Sequence, residues 1–174
     1  TYMENKKTAE NVSAVKQDMK IIVMVRNPID RAYSQYHRSI RDNMESREFE
    51  DLVDEEIKKF NLQKDAFFQI KRSESNYIKK GLYYDQLKPW FELFPRENIG
   101  IFSTEEFKID SKKIYNEIFD FLNLPHFTIK NNKIMEKGNY LPMKEEIRSK
   151  LSIFYREHNE KFFKLIGKRF EWGN

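Results

Sequence analysis

The sequence predicts an α/β protein in which a thin parallel sheet is flanked by many helices, and three observations lead there. Lys20-Ile-Ile-Val-Met-Val-Arg26 is an unbroken, β-branched run of the kind that forms a strand buried on both faces of a parallel sheet. Ile99-Gly-Ile-Phe-Ser103 is a second, shorter run of the same character. Elsewhere the apolar residues recur at helical rather than alternating spacing. With 174 residues the chain is long enough for one core, and it is read as a single domain over residues 1–174. Two strands make a poor free-standing sheet. Further strands are therefore expected upstream of Thr1, and the opening at Thr1-Tyr2 without an initiator Met is read as that of a chain cut from a longer protein.

The elements follow in order. Thr1 to Asp18 is polar, with a weak helical tendency over Thr8–Lys16. After the first strand, Asn27 is placed as a helix N-cap, Pro28 at the first helical position and Asp30 at the third. The helix that follows carries Ile29, Ala32, Tyr33, Tyr36 and Ile40 on one face, with Arg31, Ser34, Arg38 and Arg41 opposite. Glu48–Phe60 reads as a second helix, acidic at its start and ending in Lys58-Lys59, as the helix dipole prefers. A third spans Gln63–Ile78 and is broken by Gly81. Leu82–Phe94 is the next, packing through Tyr83, Leu87, Trp90, Phe91 and Phe94, with a kink expected at Pro89. Pro95 to Asn98 turns the chain into the second strand. Ser111–Leu122 is helical with Ile114, Ile118, Phe121 and Leu122 inward, and Pro125 is expected to stop it. Phe127–Leu141 is loop-like, with room for a short strand. A long terminal helix, Met143–Ile166, repeats Met143, Ile147, Leu151, Phe154, Phe162 and Leu165.

Composition narrows the function classes. Fifteen Phe, nine Tyr and two Trp describe a chain that packs, despite 34% charged residues. The net charge of +4 is mild and spread along the chain, suiting an anionic small ligand or an acidic substrate about as well as a nucleic acid. A sequence pI near 9.0 with most aromatics expected in the core weighs against an RNA- or DNA-binding module. The absence of cysteine excludes a disulfide framework and fits a reducing, cytoplasmic compartment. No apolar run approaches the roughly 20 residues of a membrane span. His37, His126 and His158 lack metal-ligand spacing, so no metal is expected.

Ligands of open parallel sheets bind beyond the carboxyl ends of the strands. Arg26 stands at that end of the first strand, beside a helix N-terminus whose free N–H groups would favour an anion. A guanidinium there can grip a phosphate through two parallel hydrogen bonds, and Ser34, two turns on, can add a hydroxyl. The residues alone also allow a plain ion pair between Arg26 and Asp30, with Ser34 facing water.

The run from Lys20 to His37, Lys-Ile-Ile-Val-Met-Val-Arg-Asn-Pro-Ile-Asp-Arg-Ala-Tyr-Ser-Gln-Tyr-His, closely resembles the 3′-phosphate-binding motif of sulfotransferases that use 3′-phosphoadenosine 5′-phosphosulfate (PAPS). The resemblance is to bacterial and heparan-sulfate-type members. It continues through Gly81-Leu-Tyr83, Gln86-Leu87, Trp90, Phe94-Pro95, Glu105-Glu106-Phe107, Phe121-Leu-Asn-Leu124 and the tail from Leu151 to Trp172. It implies a P-loop-type sulfotransferase fold and transfer of a sulfuryl group from PAPS to an acceptor hydroxyl or amine, such as a small molecule or carbohydrate. By the same resemblance Arg26 and Ser34 hold the 3′-phosphate. Lys137 and Gly138 match the loop that closes over the nucleotide, although Asn139 stands where the family has Arg. An ordinary turn with an exposed lysine is the other reading of that loop.

The resemblance further places the phosphosulfate loop with its lysine, and a glutamate base, upstream of Thr1. No catalytic residue is then expected within these 174 residues, and the piece alone is expected to be inactive. No metal is required, and no nucleic-acid or membrane partner is expected. Self-association through an exposed sheet edge is expected. The alternative is a non-catalytic domain that binds a nucleotide or polyanion.

Overall fold

The computed structural model describes residues 3, 6–62, 76–128, 138 and 140–172. The chain divides into two compact units, each made of two separate stretches: Thr1–Arg26 with Gln86–Lys137, and Asn27–Asp85 with Gly138–Asn174.

The first unit is built on strands β1 (Ile21–Val25) and β2 (Ile99–Ser103), which pair in parallel with Ile21 opposite Ile99 and Val25 opposite Ser103. The parallel pairing and both strand positions agree with the sequence. The burial does not. Val23 and Val25 are buried, but Ile22 and Met24 on the other face of β1 are 41% and 44% exposed. An unbroken apolar run shows that a strand can be covered twice; whether it is depends on what packs on each face. Helix α1 (Lys6–Val15) precedes β1. After β2, Ser103 caps a short helix α5 (Thr104–Ile109), its Oγ accepting from the N–H groups of Glu105 and Glu106. That helix is not apparent in the sequence.

Asp110 caps α6 (Ser111–Leu122), whose end is set by Asn123 in the left-handed conformation at φ 58° rather than by Pro125. Asn is one of the few residues that adopts this conformation readily, so the helix closes before the proline is reached. Of the four apolar residues expected inward on α6, Ile114 is buried, while Ile118, Phe121 and Leu122 are half-buried. Lys20 donates to the Phe121 carbonyl and lies 5.3 Å from the Phe121 ring, tying the start of β1 to the end of α6.

In the second unit α2 (Pro28–Arg41), α3 (Phe49–Leu62) and α7 (Glu145–Ile166) enclose one core. Ile29, Ala32 and Tyr36 of α2 meet Phe49, Leu52, Val53 and Phe60 of α3, and Ile147, Leu151 and Tyr155 of α7. Helix α4 (Tyr83–Leu93) begins in this unit and continues into the other, with Pro89 inside it. The helix expected over Gln63–Ile78 lies outside the described residues as far as residue 75. Asn76–Ile78 is a turn leading into a single 3-10 turn, Lys79–Gly81.

Past α7, Gly167 takes φ 69° and ends the helix, where a side chain would be strained. The tail then folds back. Lys168, Arg169 and Glu171 are exposed, whereas Phe170 and Trp172 are buried. The Trp172 ring stacks on Phe162 at 5.8 Å and 5°, and packs beside Phe163, Phe170 and Tyr83.

Candidate functional site

The strand-to-helix junction begins where β1 stops at Val25, followed by half-buried Arg26 and buried Asn27. Asn27 is the N-cap expected of it: its Oδ1 accepts from the N–H groups of Ile29 at 2.9 Å and Asp30 at 3.4 Å. The Arg31 N–H bonds to the Asn27 carbonyl at 2.9 Å, and Pro28 has no N–H. All of the first helical donors are thereby engaged or absent. This corrects the expectation that free backbone N–H groups at this terminus face an anion. The dipole of α2 remains, but hydrogen bonds to a phosphate here must come from side chains. Asp30, the carboxylate that local sequence offers as a partner for Arg26, accepts from Arg148 of α7 at 2.7 Å.

Ser34 lies half-buried in α2. The segment after Gly138 is fastened along this same helix. Tyr33 donates to the Leu141 carbonyl at 3.0 Å, and the Tyr140 ring lies flat on His37 with centroids 4.1 Å apart. Burial lowers the His37 pKa, which favours the neutral ring in that stack. Gly138 is exposed, and a Cβ added there would come within 2.4 Å of the Tyr140 ring. The structure therefore brings the Gly138 segment and the Ser34 helix together within one unit, while Arg26 closes the other. Lys137 and Asn139 lie outside the described residues.

A second group of residues holds the 3-10 turn against the start of α2. Glu56 of α3, 4% exposed, accepts the N–H groups of Tyr77 at 2.7 Å, Ile78 at 2.8 Å and Lys79 at 3.3 Å. Burial pushes its pKa up to about 7, with the three N–H bonds pulling the other way. Arg31 donates to the Tyr77 carbonyl, so it reaches toward this turn rather than facing water with Arg38 and Arg41. Tyr155, fully buried in α7, donates to the Ile78 carbonyl at 2.8 Å, and burial raises its pKa strongly. Gly81 ends the turn where a Cβ would come within 2.7 Å of both Pro28 Cβ and Tyr155 Oη. The glycine read locally as a helix breaker is thus required by long-range contact.

Neither Glu56 nor Tyr155 was expected to matter, yet each left a trace in the sequence. Phe49, Leu52, Val53, Glu56 and Phe60 share one helical stripe, so the carboxylate stands among apolar residues. Tyr155 likewise follows Ile147 and Leu151 at four-residue steps. Among the described residues no group of three or more His, Cys, Asp and Glu is placed to hold a metal ion. Nor is any helix among them long and apolar enough to cross a membrane.

A helix-rich fold around a parallel strand pair, with a strand–Arg–Asn–Pro–helix junction, defines a recognisable class. The chain belongs to the sulfotransferase domain family, which matches residues 8–173. It is similar to the membrane-associated sulfotransferase kil1 of Dictyostelium discoideum, 24% identical over 244 residues, covering 99% of this chain and 52% of that protein. It is also similar to heparan sulfate glucosamine 3-O-sulfotransferase 3B1 of Mus musculus, 26% identical over 196 residues, covering 99% and 48%. The chain thus spans about half the length of these curated relatives. The crystal structure of a sulfotransferase from Alicyclobacillus acidocaldarius shares the fold with a TM-score of 0.78 at 24% identity, over 98% of this chain and 64% of that one.

Proposed function

We propose that this protein transfers a sulfuryl group from PAPS to a hydroxyl or amine of a carbohydrate acceptor, and that Arg26 and Ser34 hold the 3′-phosphate of the nucleotide. The observation that carries this reading is the junction itself. A half-buried arginine directly follows β1, and α2 begins with its backbone donors already engaged by Asn27. A charged fork and a hydroxyl on the next helix form the donor set that a dianionic phosphate needs. The carbohydrate class is supported by the names of relatives, among them the heparan sulfate enzyme and a carbohydrate sulfotransferase 15 of Nototodarus sloanii, 33% identical over 98 residues. Nothing observed favours a non-catalytic binding domain.

In this scheme the residues described here bind and orient. Arg26 would neutralise the phosphate, Ser34 would donate to it, and the Gly138 segment, fastened by Tyr140 and Tyr33, would border the nucleotide. Fixing the nucleotide places its sulfuryl group for in-line attack, where positioning and fixed donors do most of the work.

In the full-length protein, Arg26→Ala is expected to weaken binding of adenosine 3′,5′-bisphosphate by about 1.5–3 kcal/mol, the range for a hydrogen bond to a charged group. Adenosine 5′-monophosphate should bind wild type and variant alike. Titration calorimetry with both ligands checks this, and equal affinity of the variant for the bisphosphate would sink the assignment.

A further inference from the structure

The carboxy-terminal tail reaches the cap of α2. The Nδ2 of Asn27 donates to the main-chain carbonyl of Trp172, a buried contact between residues 145 positions apart. Asn27 is 6% exposed and Trp172 is 7% exposed, so water does not compete freely for either group. An asparagine amide has two unlike ends, and its orientation follows from the partners that each end finds. With its Nδ2 held by the Trp172 carbonyl, Asn27 must turn Oδ1 toward α2, where it accepts from Ile29 and Asp30. Loss of that carbonyl takes away one of the holds on the amide, beside those that Ile29 and Asp30 exert on Oδ1, and loosens the first turn.

The tail is itself firmly seated. Gly167 reverses the chain, Phe170 and Trp172 lie on Phe162 and Phe163, and Arg169 grips Glu160 through two hydrogen bonds of 2.8 and 2.6 Å. The Trp172 indole N–H has no hydrogen-bond partner among the described residues, so the ring acts by packing and the carbonyl by hydrogen bonding.

We infer that Trp172 is a positioning residue for the nucleotide: the tail fixes the Asn27 amide, and the amide fixes the junction from which Arg26 and Ser34 act. The inference rests on the 3′-phosphate reading given above. No catalytic role is assigned to the tail.

The test compares adenosine 3′,5′-bisphosphate with adenosine 5′-monophosphate on the full-length protein, reading the ratio of their affinities. Trp172→Ala should lower that ratio at least fivefold while affinity for the monophosphate stays within twofold, and Trp172→Phe should restore it. A tail that merely stabilises the fold would lower the melting temperature and leave the ratio unchanged, and that result overturns the inference. Should Trp172→Ala not fold, Asn27→Ser carries the test. Serine keeps a capping oxygen but cannot donate to the Trp172 carbonyl as the amide does. An unchanged ratio there overturns the inference equally. If wild type itself shows no preference for the bisphosphate, the 3′-phosphate reading fails instead, which is a separate outcome.

Discussion

Replacing Gly81 by alanine is expected to destabilise the protein by about 3 kcal/mol. The new methyl group would sit 2.7 Å from Pro28 Cβ and 2.7 Å from Tyr155 Oη, with Tyr155 Cε1 at 3.0 Å. Neither neighbour is the free end of a flexible chain. The Pro28 ring is locked into the first turn of α2, and Tyr155 is wholly buried with its hydroxyl committed to Ile78. Overpacking of this kind costs about 1–3 kcal/mol, and loss of the Tyr155 hydrogen bond adds roughly 1. Because the turn bears on Pro28, the relaxation should move the first turn of α2 and weaken binding of the bisphosphate as well. Urea denaturation at constant m-value measures the stability change. A loss below about 0.5 kcal/mol, the range of an ordinary surface substitution, would show that the contact is not tight.

Stability should also fall between pH 5 and pH 8, by about 3 kcal/mol from Glu56 alone. The folded-state pKa near 7 lies above the ordinary 4.5, so the folded form binds the extra proton across that interval. A group raised in this way contributes its stability in full below the unfolded pKa and loses it as pH rises through the folded one. At about 1.4 kcal/mol per pH unit, the gap sets the size. His37, whose pKa is lowered by burial, acts in the opposite sense, with stability lost as pH falls below its ordinary value. Comparison with Glu56→Gln isolates the glutamate. Gln turns an N–H group toward one of the three backbone donors, so the variant should be weaker at pH 5 by roughly 1–3 kcal/mol, the cost of a buried unsatisfied group. The difference should shrink toward pH 8. Parallel pH profiles for the two proteins would refute the role given to Glu56.

These two residues also mark how far the sequence could be read. The bounds of β2 and α6 were legible because local signals agreed there: an apolar run after Pro95 for the strand, helical spacing after Asp110 for the helix. The Asn27 cap was legible for the same reason, although its consequence was the reverse of the one expected, since a cap that satisfies the donors also withdraws them from a ligand. Gly81 was visible as a breaker but not as a close approach, because Pro28 and Tyr155 lie 53 and 74 positions away and no local pattern reports on them. The exposure of Ile22 and Met24 could not be read at all, as an apolar run carries no record of what covers it. The assignment of Arg26 and Ser34 to a phosphate came from the resemblance alone and stands as a proposal. The residues by themselves allowed equally a phosphate grip and an ion pair between Arg26 and Asp30 with Ser34 facing water.

The pairing of β1 with β2 has a further consequence during synthesis. The two strands are roughly eighty residues apart in the chain, so at about 5–20 residues per second a ribosome delivers β2 some 4–16 s after β1. Throughout that interval the strongly β-forming Ile21–Val25 waits for β2 with that edge open, and open edges of this kind are where nascent chains associate. Lys20 and Arg26 bracket it with positive charge on either side, which is how natural sequences shield such segments until a partner arrives. Arg26 would thus act as one of these guards on the nascent chain, whatever the folded protein goes on to bind.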